Sequence, residues 1–267
     1  MKLGMSALVV SVAMFASAAA AQAGVVFSDD FSTNPLTNGK WGDFYRQNGD
    51  PGNELVWNST LGAFDLTSTG PGAGFAVANH SLQSRNWVME YDYRVGGGGS
   101  GDGYGFSFYS ANDTVGGNRT LQGYWVFFDT FQNSWDPYSH YIGLSKRLTA
   151  TVTPPIHTSL AAVADARTED DRWHHVKVAF DEGRLRLFVD DMSTALLDHT
   201  IAGMDYTRDG ISFFALGNNN YHRIDNVALS VAVPLPASAW TGLGLLGGIG
   251  VAAFRRRRRA RLVAWSG

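Results

Sequence analysis

The sequence predicts an all-β sandwich that occupies most of its 267 residues. Three observations predict this fold class. From about residue 25 to residue 231 there is no long helical period, there are many short runs rich in aromatic and β-branched residues, and clusters of Gly, Asn and Asp separate those runs. One domain of roughly 200 residues built in this way can bury a sizeable core.

The predicted strands are short runs rich in aromatic and β-branched residues. They include WVMEYDYRV, GYGFSFYS, GYWVFFDT, HHVKVAF, RLRLFVD, GISFFAL and NVALSVAV. FDEGRLRLFVDD predicts a hairpin in which Glu182 and Gly183 supply the turn. Leu185, Leu187 and Val189 then alternate towards the core.

Composition excludes several classes of protein. The net charge is -3 and only 17% of the residues are charged, so nucleic acid is not an expected partner. There is no cysteine, which excludes disulfides, thiolate metal sites and a cysteine nucleophile. Any metal must therefore be held by oxygen or imidazole ligands.

Residues 1–23 are typical of a secretory signal peptide. Lys2 precedes an apolar run from Met5 to Phe15, and small residues end in Ala21-Gln22-Ala23. An uncleaved anchor is the alternative, but the apolar run is short for a membrane span. We expect cleavage after Ala23 and an exported domain over residues 24–231.

The C-terminal segment, residues 232–261, has three parts in a fixed order. The motif VPLPA, residues 233–237, leads into an apolar stretch, residues 235–254, that is long enough for a transmembrane helix, and five arginines from Arg255 follow. A plain membrane anchor is one interpretation. The segment also resembles the PEP-CTERM sorting signal of exported Gram-negative proteins. That resemblance implies transient anchoring in the inner membrane, processing by an exosortase, and release to the cell surface or extracellular matrix.

The stretch FFDTFQNSWDPYSHYIGLS places oxygen-bearing side chains where a strand ends. Calcium takes six to eight oxygen ligands at about 2.3 to 2.6 Å. Asp129, the carbonyl of Phe131, the amide of Asn133 and the carboxylate of Asp136 are candidate ligands. The alternative is that Asn133 and Asp136 are ordinary turn residues ahead of Pro137.

The same stretch resembles the metal loop of legume-type (L-type) lectins, in which E-x-D-T-aromatic-x-N leads to W-D-P and H-I-G-I. GDGYGFSF, from Gly101, resembles the lectin strand that bears the sugar-binding Asp. GISFFALGNNNYHRIDNVALS, from Gly210, resembles the last loop and strand. The resemblance implies a concanavalin A-like jelly-roll sandwich. A W-H-x-V strand followed by a hairpin also resembles laminin-G-like modules, which share this fold.

By that resemblance the loop binds both calcium and sugar. The implied metal ligands are Asp129, Phe131, Asn133 and Asp136, and the implied carbohydrate-binding residues are Asp102, Phe131, Asn133 and Gly217. Phe131 and Trp135 would offer rings to a sugar, and Gly116 or Gly117 a backbone donor.

Two departures from the lectin pattern affect the expected metal. Phe127 stands where the pattern has Glu, and Tyr141 stands where it has His. A neighbouring transition-metal site would lack its carboxylate, so the sequence predicts calcium without a transition metal, with a degraded metal site as the alternative. The interval from Asn133 to Asp136 is also one residue shorter than in the plant pattern.

An enzyme of the same fold is the main alternative. Glu90 and Asp92 in MEYDYR partly resemble the E-x-D-x-x-E signature of family 16 glycosidases, but Arg94 and Val95 stand where the second Glu is needed. The sequence therefore predicts an exported, calcium-dependent carbohydrate-binding protein without catalytic function. A glycoside hydrolase and a non-binding structural matrix protein are the alternatives.

Overall fold

Residues Val25–Val231 form a compact unit. The structure, a computed structural model, describes residues 22–47, 54–68, 72–98, 101–115, 118–134, 136–147, 157–217 and 219–233. Most of the predicted signal peptide and the whole predicted transmembrane helix, residues 235–254, lie outside these ranges. Within the ranges, no helix is long and apolar enough to cross a membrane.

The described part of the chain contains fifteen strands and one 3₁₀-helix. In chain order they are β1 (Gln22–Asp29), β2 (Trp41–Gln47), β3 (Glu54–Asn58), β4 (Ala63–Thr67), β5 (Gly72–Ala78), β6 (Asn86–Gly96), β7 (Gly103–Val115), β8 (Asn118–Asp129), β9 (Tyr141–Arg147), β10 (His157–Ala164), the 3₁₀-helix (Ala166–Glu169), β11 (His174–Asp181), β12 (Arg184–Val189), β13 (Leu197–Thr200), β14 (Gly210–Gly217) and β15 (Tyr221–Val233).

The strands form two sheets with antiparallel pairing. The eight-stranded sheet has the order β13-β12-β11-β6-β15-β4-β3, with β1 paired to β15. The seven-stranded sheet has the order β10-β9-β8-β7-β14-β5-β2. Neighbours such as β14 and β7 are far apart in sequence, so the chain crosses between the sheets repeatedly. The predicted all-β sandwich is confirmed.

The core lies between the sheets and is rich in aromatic side chains. On β6 every second residue from Trp87 to Tyr93 is buried, as expected for a strand with one inner face. Rings from the two sheets meet there: the centroids of Tyr91 and Phe213 are 5.2 Å apart, edge to face. Such pairs add about 0.5 to 1.5 kcal/mol to the free energy gained by burial.

The hairpin between β11 and β12 has the predicted turn. Glu182 and Gly183 have φ angles of 44° and 101°, the positive values of a tight hairpin turn. Leu185, Leu187 and Val189 are buried on the inner face of β12. The prediction from FDEGRLRLFVDD is confirmed.

Candidate functional site

Four strands of the seven-stranded sheet bring polar residues to one end of that sheet. Asp129, the last residue of β8, is paired with Gly103, the first of β7, and with Tyr141, the first of β9. Gly103 is also paired with Leu216 near the end of β14. Asp102 therefore lies beside the β8 end. We call the cluster of Asp102, Asp129, Asn133 and Asp136 the strand-end site.

The loop from Thr130 to His140, here called the 130–140 loop, starts with a tight turn on Asp129. The Phe131 amide donates to Asp129 Oδ1 over 3.0 Å. The Thr130 hydroxyl donates to the Gly101 carbonyl, which ties the loop to the segment before β7. The Asp129 carboxylate is thereby held in the buried base of the loop, with 1% of the residue exposed.

The rest of the 130–140 loop folds back over Asp129. The backbone amide of Asn133 donates to Asp136 Oδ2 over 2.5 Å, and the Tyr141 hydroxyl donates to Asp136 Oδ1 over 3.3 Å. The side-chain nitrogen of Asn133 is 3.4 Å from Asp102 Oδ1. Two residues that the lectin resemblance assigns to sugar binding are thus brought into contact from different loops.

The strand-end site concentrates negative charge in a partly buried place. Burial, followed by the nearby charges of Asp136 and Asp102, raises the pKa of Asp129 to about 8. The Phe131 amide acts in the opposite direction, and no basic side chain of the described chain contributes. A bound cation would offset the repulsion among these carboxylates, because an opposite charge within a few ångströms favours the ionised carboxylate.

The oxygen-rich residues present fit a hard cation such as calcium, which prefers carboxylate, amide and carbonyl oxygens. Among the described residues, however, no three acidic or histidine side chains form a group ready to hold a metal. Neutral oxygens would therefore have to complete the shell around Asp129 and Asp136. The Phe131 carbonyl and the Asn133 amide are the neighbouring candidates, as the sequence predicted.

An aromatic cluster surrounds Phe127, where the lectin pattern has a carboxylate. Phe127 and Phe214 stack with their rings 8° from parallel and their centroids 6.0 Å apart. Their strands are separated by β7, and Gly105 lies between them: a Cβ there would collide with the Val126 carbonyl and lie 3.0 Å from the Phe214 ring. Position 127 therefore serves packing on the outer sheet face.

Tyr141, in place of the pattern's His, is only 7% exposed and makes the bond to Asp136 described above. Burial and the charges of Asp129 and Asp136 raise its pKa well above the ordinary value, so its hydroxyl remains a donor. The lectin pattern marks position 141 only as a missing metal ligand, whereas the Tyr141 hydroxyl orients Asp136, which is itself a predicted ligand.

Two exposed aromatic side chains flank the strand-end site. Phe131 is 40% exposed and Tyr138, in the same loop, is 44% exposed. Tyr138 was not among the predicted site residues, and its only sequence signal is an aromatic residue in a polar loop. Trp135 and the predicted donors at positions 116 and 117 lie outside the described residues.

Gly217 ends β14 beside the strand-end site. Its close neighbour is Thr67 of the other sheet, whose hydroxyl would lie 2.7 Å from a Cβ at position 217. The described contacts give Gly217 a role in close packing, and its predicted role in sugar binding stays a prediction.

Comparison with known proteins agrees with this architecture. The metal-free exoplasmic/lumenal domain of VIP36 superposes with a TM-score of 0.59 at 17% identity, covering 80% of this chain and 95% of that domain. The potassium-bound carbohydrate recognition domain of Emp46p gives 0.57 at 13% identity, covering 78% and 98%. The fold is that of the L-type lectins. The resemblance drawn from the sequence is confirmed at the level of this lectin fold.

Other forms of the VIP36 domain share the lectin fold with this chain. Its Ca²⁺/Man-bound form gives a TM-score of 0.55 at 18% identity and covers 74% of this chain and 84% of that domain. No family model and no curated protein sequence matches the chain.

Proposed function

We propose that the protein binds carbohydrate through the strand-end site and that calcium supports the binding. The observation that carries the proposal is the buried carboxylate of Asp129, whose pKa is raised to about 8 beside Asp136 and Asp102. Its position at the base of an oxygen-rich loop, on a lectin fold, supports a cation site. The crystallised VIP36 domain with calcium and mannose adds support by analogy of fold.

Each residue of the strand-end site has a proposed task. Asp129, Asp136, the Asn133 amide oxygen and the Phe131 carbonyl would hold calcium, which would neutralise the clustered carboxylates and order the 130–140 loop. Asp102 and the Asn133 NH₂ group would bind sugar hydroxyls, while the exposed Phe131 ring would cover an apolar sugar face. Phe127 offers no carboxylate for a second metal, so no transition metal is expected.

The test is a glycan array probed with protein in calcium, in manganese alone and in a chelator. We expect binding in calcium and its loss in the chelator, with little recovery in manganese. Calcium should also raise the melting temperature, because a ligand of the folded state stabilises that state. Equal stabilisation by low manganese would contradict the calcium assignment, and binding unaffected by the chelator would refute metal dependence.

The proposal includes no catalytic activity. Glu90 and Asp92 of β6 lie on the eight-stranded sheet, away from the strands that form the strand-end site. Asp92 Oδ1 is 2.7 Å from His175 Nδ1, and its other oxygen accepts from Asn226. Turnover of β-glucans or alginate in a reducing-sugar assay, abolished by Glu90→Gln, would instead establish the hydrolase. Absence of both turnover and glycan binding would favour a structural matrix protein.

We further propose that the protein is exported from a Gram-negative cell, anchored briefly in the inner membrane and released by an exosortase. The support is the order of the sequence segments: a predicted signal peptide, VPLPA, an apolar stretch and an arginine cluster. We expect released protein to lack everything beyond the region of residues 234–237. An intact mass that still includes Arg255 to Arg259 would contradict processing.

A further inference from the structure

Glu169, the last residue of the 3₁₀-helix, touches two loops near the strand-end site. Its Oε1 accepts from the side-chain nitrogen of Asn220 over 2.7 Å. Its Oε2 is 3.4 Å from Nε2 of His140, the last residue of the 130–140 loop. The Glu169 side chain is 14% exposed and Asn220 is fully buried, whereas the His140 side chain is 40% exposed, so the Asn220 contact is buried and the His140 contact is partly exposed.

The 3₁₀-helix that carries Glu169 is itself firmly attached to the sandwich. Arg167 donates to the Val189 carbonyl over 2.8 Å, and its own carbonyl accepts from the Tyr93 hydroxyl over 3.2 Å. Thr168 is fully buried. A carboxylate on such a base has little freedom, so the groups that it binds are held in place.

The two segments that Glu169 contacts both carry residues of the proposed sugar site. His140 closes the loop that carries Phe131 and Asn133, and its carbonyl also accepts from the Asp165 amide over 3.1 Å. Asn220 closes the turn that follows Gly217, and its residue is fully buried. One carboxylate therefore connects the metal-binding side to the turn between β14 and β15.

We infer that Glu169 is a positioning residue that keeps the 130–140 loop and the β14–β15 turn in register for glycan binding. The inference rests on the proposed function. Glu169 touches neither the predicted ligands nor the exposed Phe131 ring in any described contact, so its effect passes through His140 and Asn220. Glycan affinity should respond to its loss more strongly than calcium affinity does.

The experiment combines hydrogen exchange with binding for Glu169→Ala and Glu169→Gln. In the Ala variant we expect amide exchange to rise about tenfold in peptides covering residues 130–140 and 217–221. Glycan affinity should fall about tenfold, and calcium affinity less than about threefold. The Gln variant retains an oxygen that accepts from Asn220, so it should recover most of the glycan affinity.

Glu90→Ala is the matched control, since Glu90 faces His175 Nε2 at 3.9 Å on the other sheet. Glu90→Ala should leave amide exchange unchanged in residues 130–140 and 217–221. Unchanged exchange in Glu169→Ala, or faster exchange with unchanged glycan affinity, would overturn the inference. Wild-type protein that binds no glycan would refute the proposed function and with it the role in glycan binding, and the exchange data would then judge the loop connection alone.

Discussion

Asp129→Asn is expected to abolish the calcium response and, in a chelator, to stabilise the protein at pH 8 and above. The substitution removes the buried negative charge but retains an oxygen that can accept from the Phe131 amide. Loss of one carboxylate ligand should reduce calcium affinity on the order of a hundredfold. Calorimetric titration with calcium measures this effect directly.

The pH dependence follows from the direction of the Asp129 shift. Its pKa is about 8 in the folded chain, above the ordinary value of 3.8, so the contribution of the protonated Asp129 to metal-free stability is fully present below the ordinary value. That contribution is lost as the pH rises through about 8. Asp129→Asn should remove this decline and gain about 1 to 3 kcal/mol of unfolding free energy at high pH.

Asp191→Asn is a control of opposite sign. Hydrogen bonds from Ser193 lower the pKa of this exposed carboxylate to about 2. Its contribution is present above the ordinary pKa and lost as the pH falls through about 2, so the Asn variant should lose rather than gain stability at neutral pH. If Asp129→Asn were also less stable than wild type at high pH in the chelator, the ionised carboxylate of Asp129 would not destabilise the folded state.

The fold was predictable because alternation along a strand depends directly on which face is buried. In β6 and β12 large aromatic and aliphatic residues occupy the alternating buried positions, and the Glu182-Gly183 turn adds a local signal. The 3₁₀-helix had no such signal, because four residues cannot display a period. Glu169, whose importance depends on Asn220 and His140, was accordingly missed.

The strand-end site was predictable in composition but not in its contacts. Asp129, Asn133 and Asp136 are close in sequence, and Asp102 entered through the lectin resemblance. The bond from the Tyr141 hydroxyl to Asp136 depends on how the 130–140 loop folds back, which spacing alone does not specify. The stacking of Phe127 on Phe214 likewise depends on strand order, since β7 lies between their strands.

Asp102→Ala is expected to remove most glycan binding while leaving calcium binding nearly unchanged. Asp102 is exposed beside the loop and is 3.4 Å from the Asn133 side-chain nitrogen, but the sequence pattern does not make it a metal ligand. A hydrogen bond to a charged group contributes roughly 1.5 to 3 kcal/mol. Its loss corresponds to about a ten- to hundredfold decrease in affinity, often the whole measurable binding of a weak lectin.

Asn133→Ala should weaken the binding of both calcium and glycan, because the side-chain oxygen of Asn133 is assigned to calcium and its side-chain nitrogen to a sugar hydroxyl. Calorimetry for calcium and a glycan array for sugar separate the two variants. Asp209→Ala is the matched control, since Asp209 also precedes a glycine at the start of a strand, β14, in the same sheet. It should bind both ligands as wild type does. If Asp102→Ala bound the same glycans unchanged, the sugar site would lie elsewhere and a structural role for the strand-end site would be favoured.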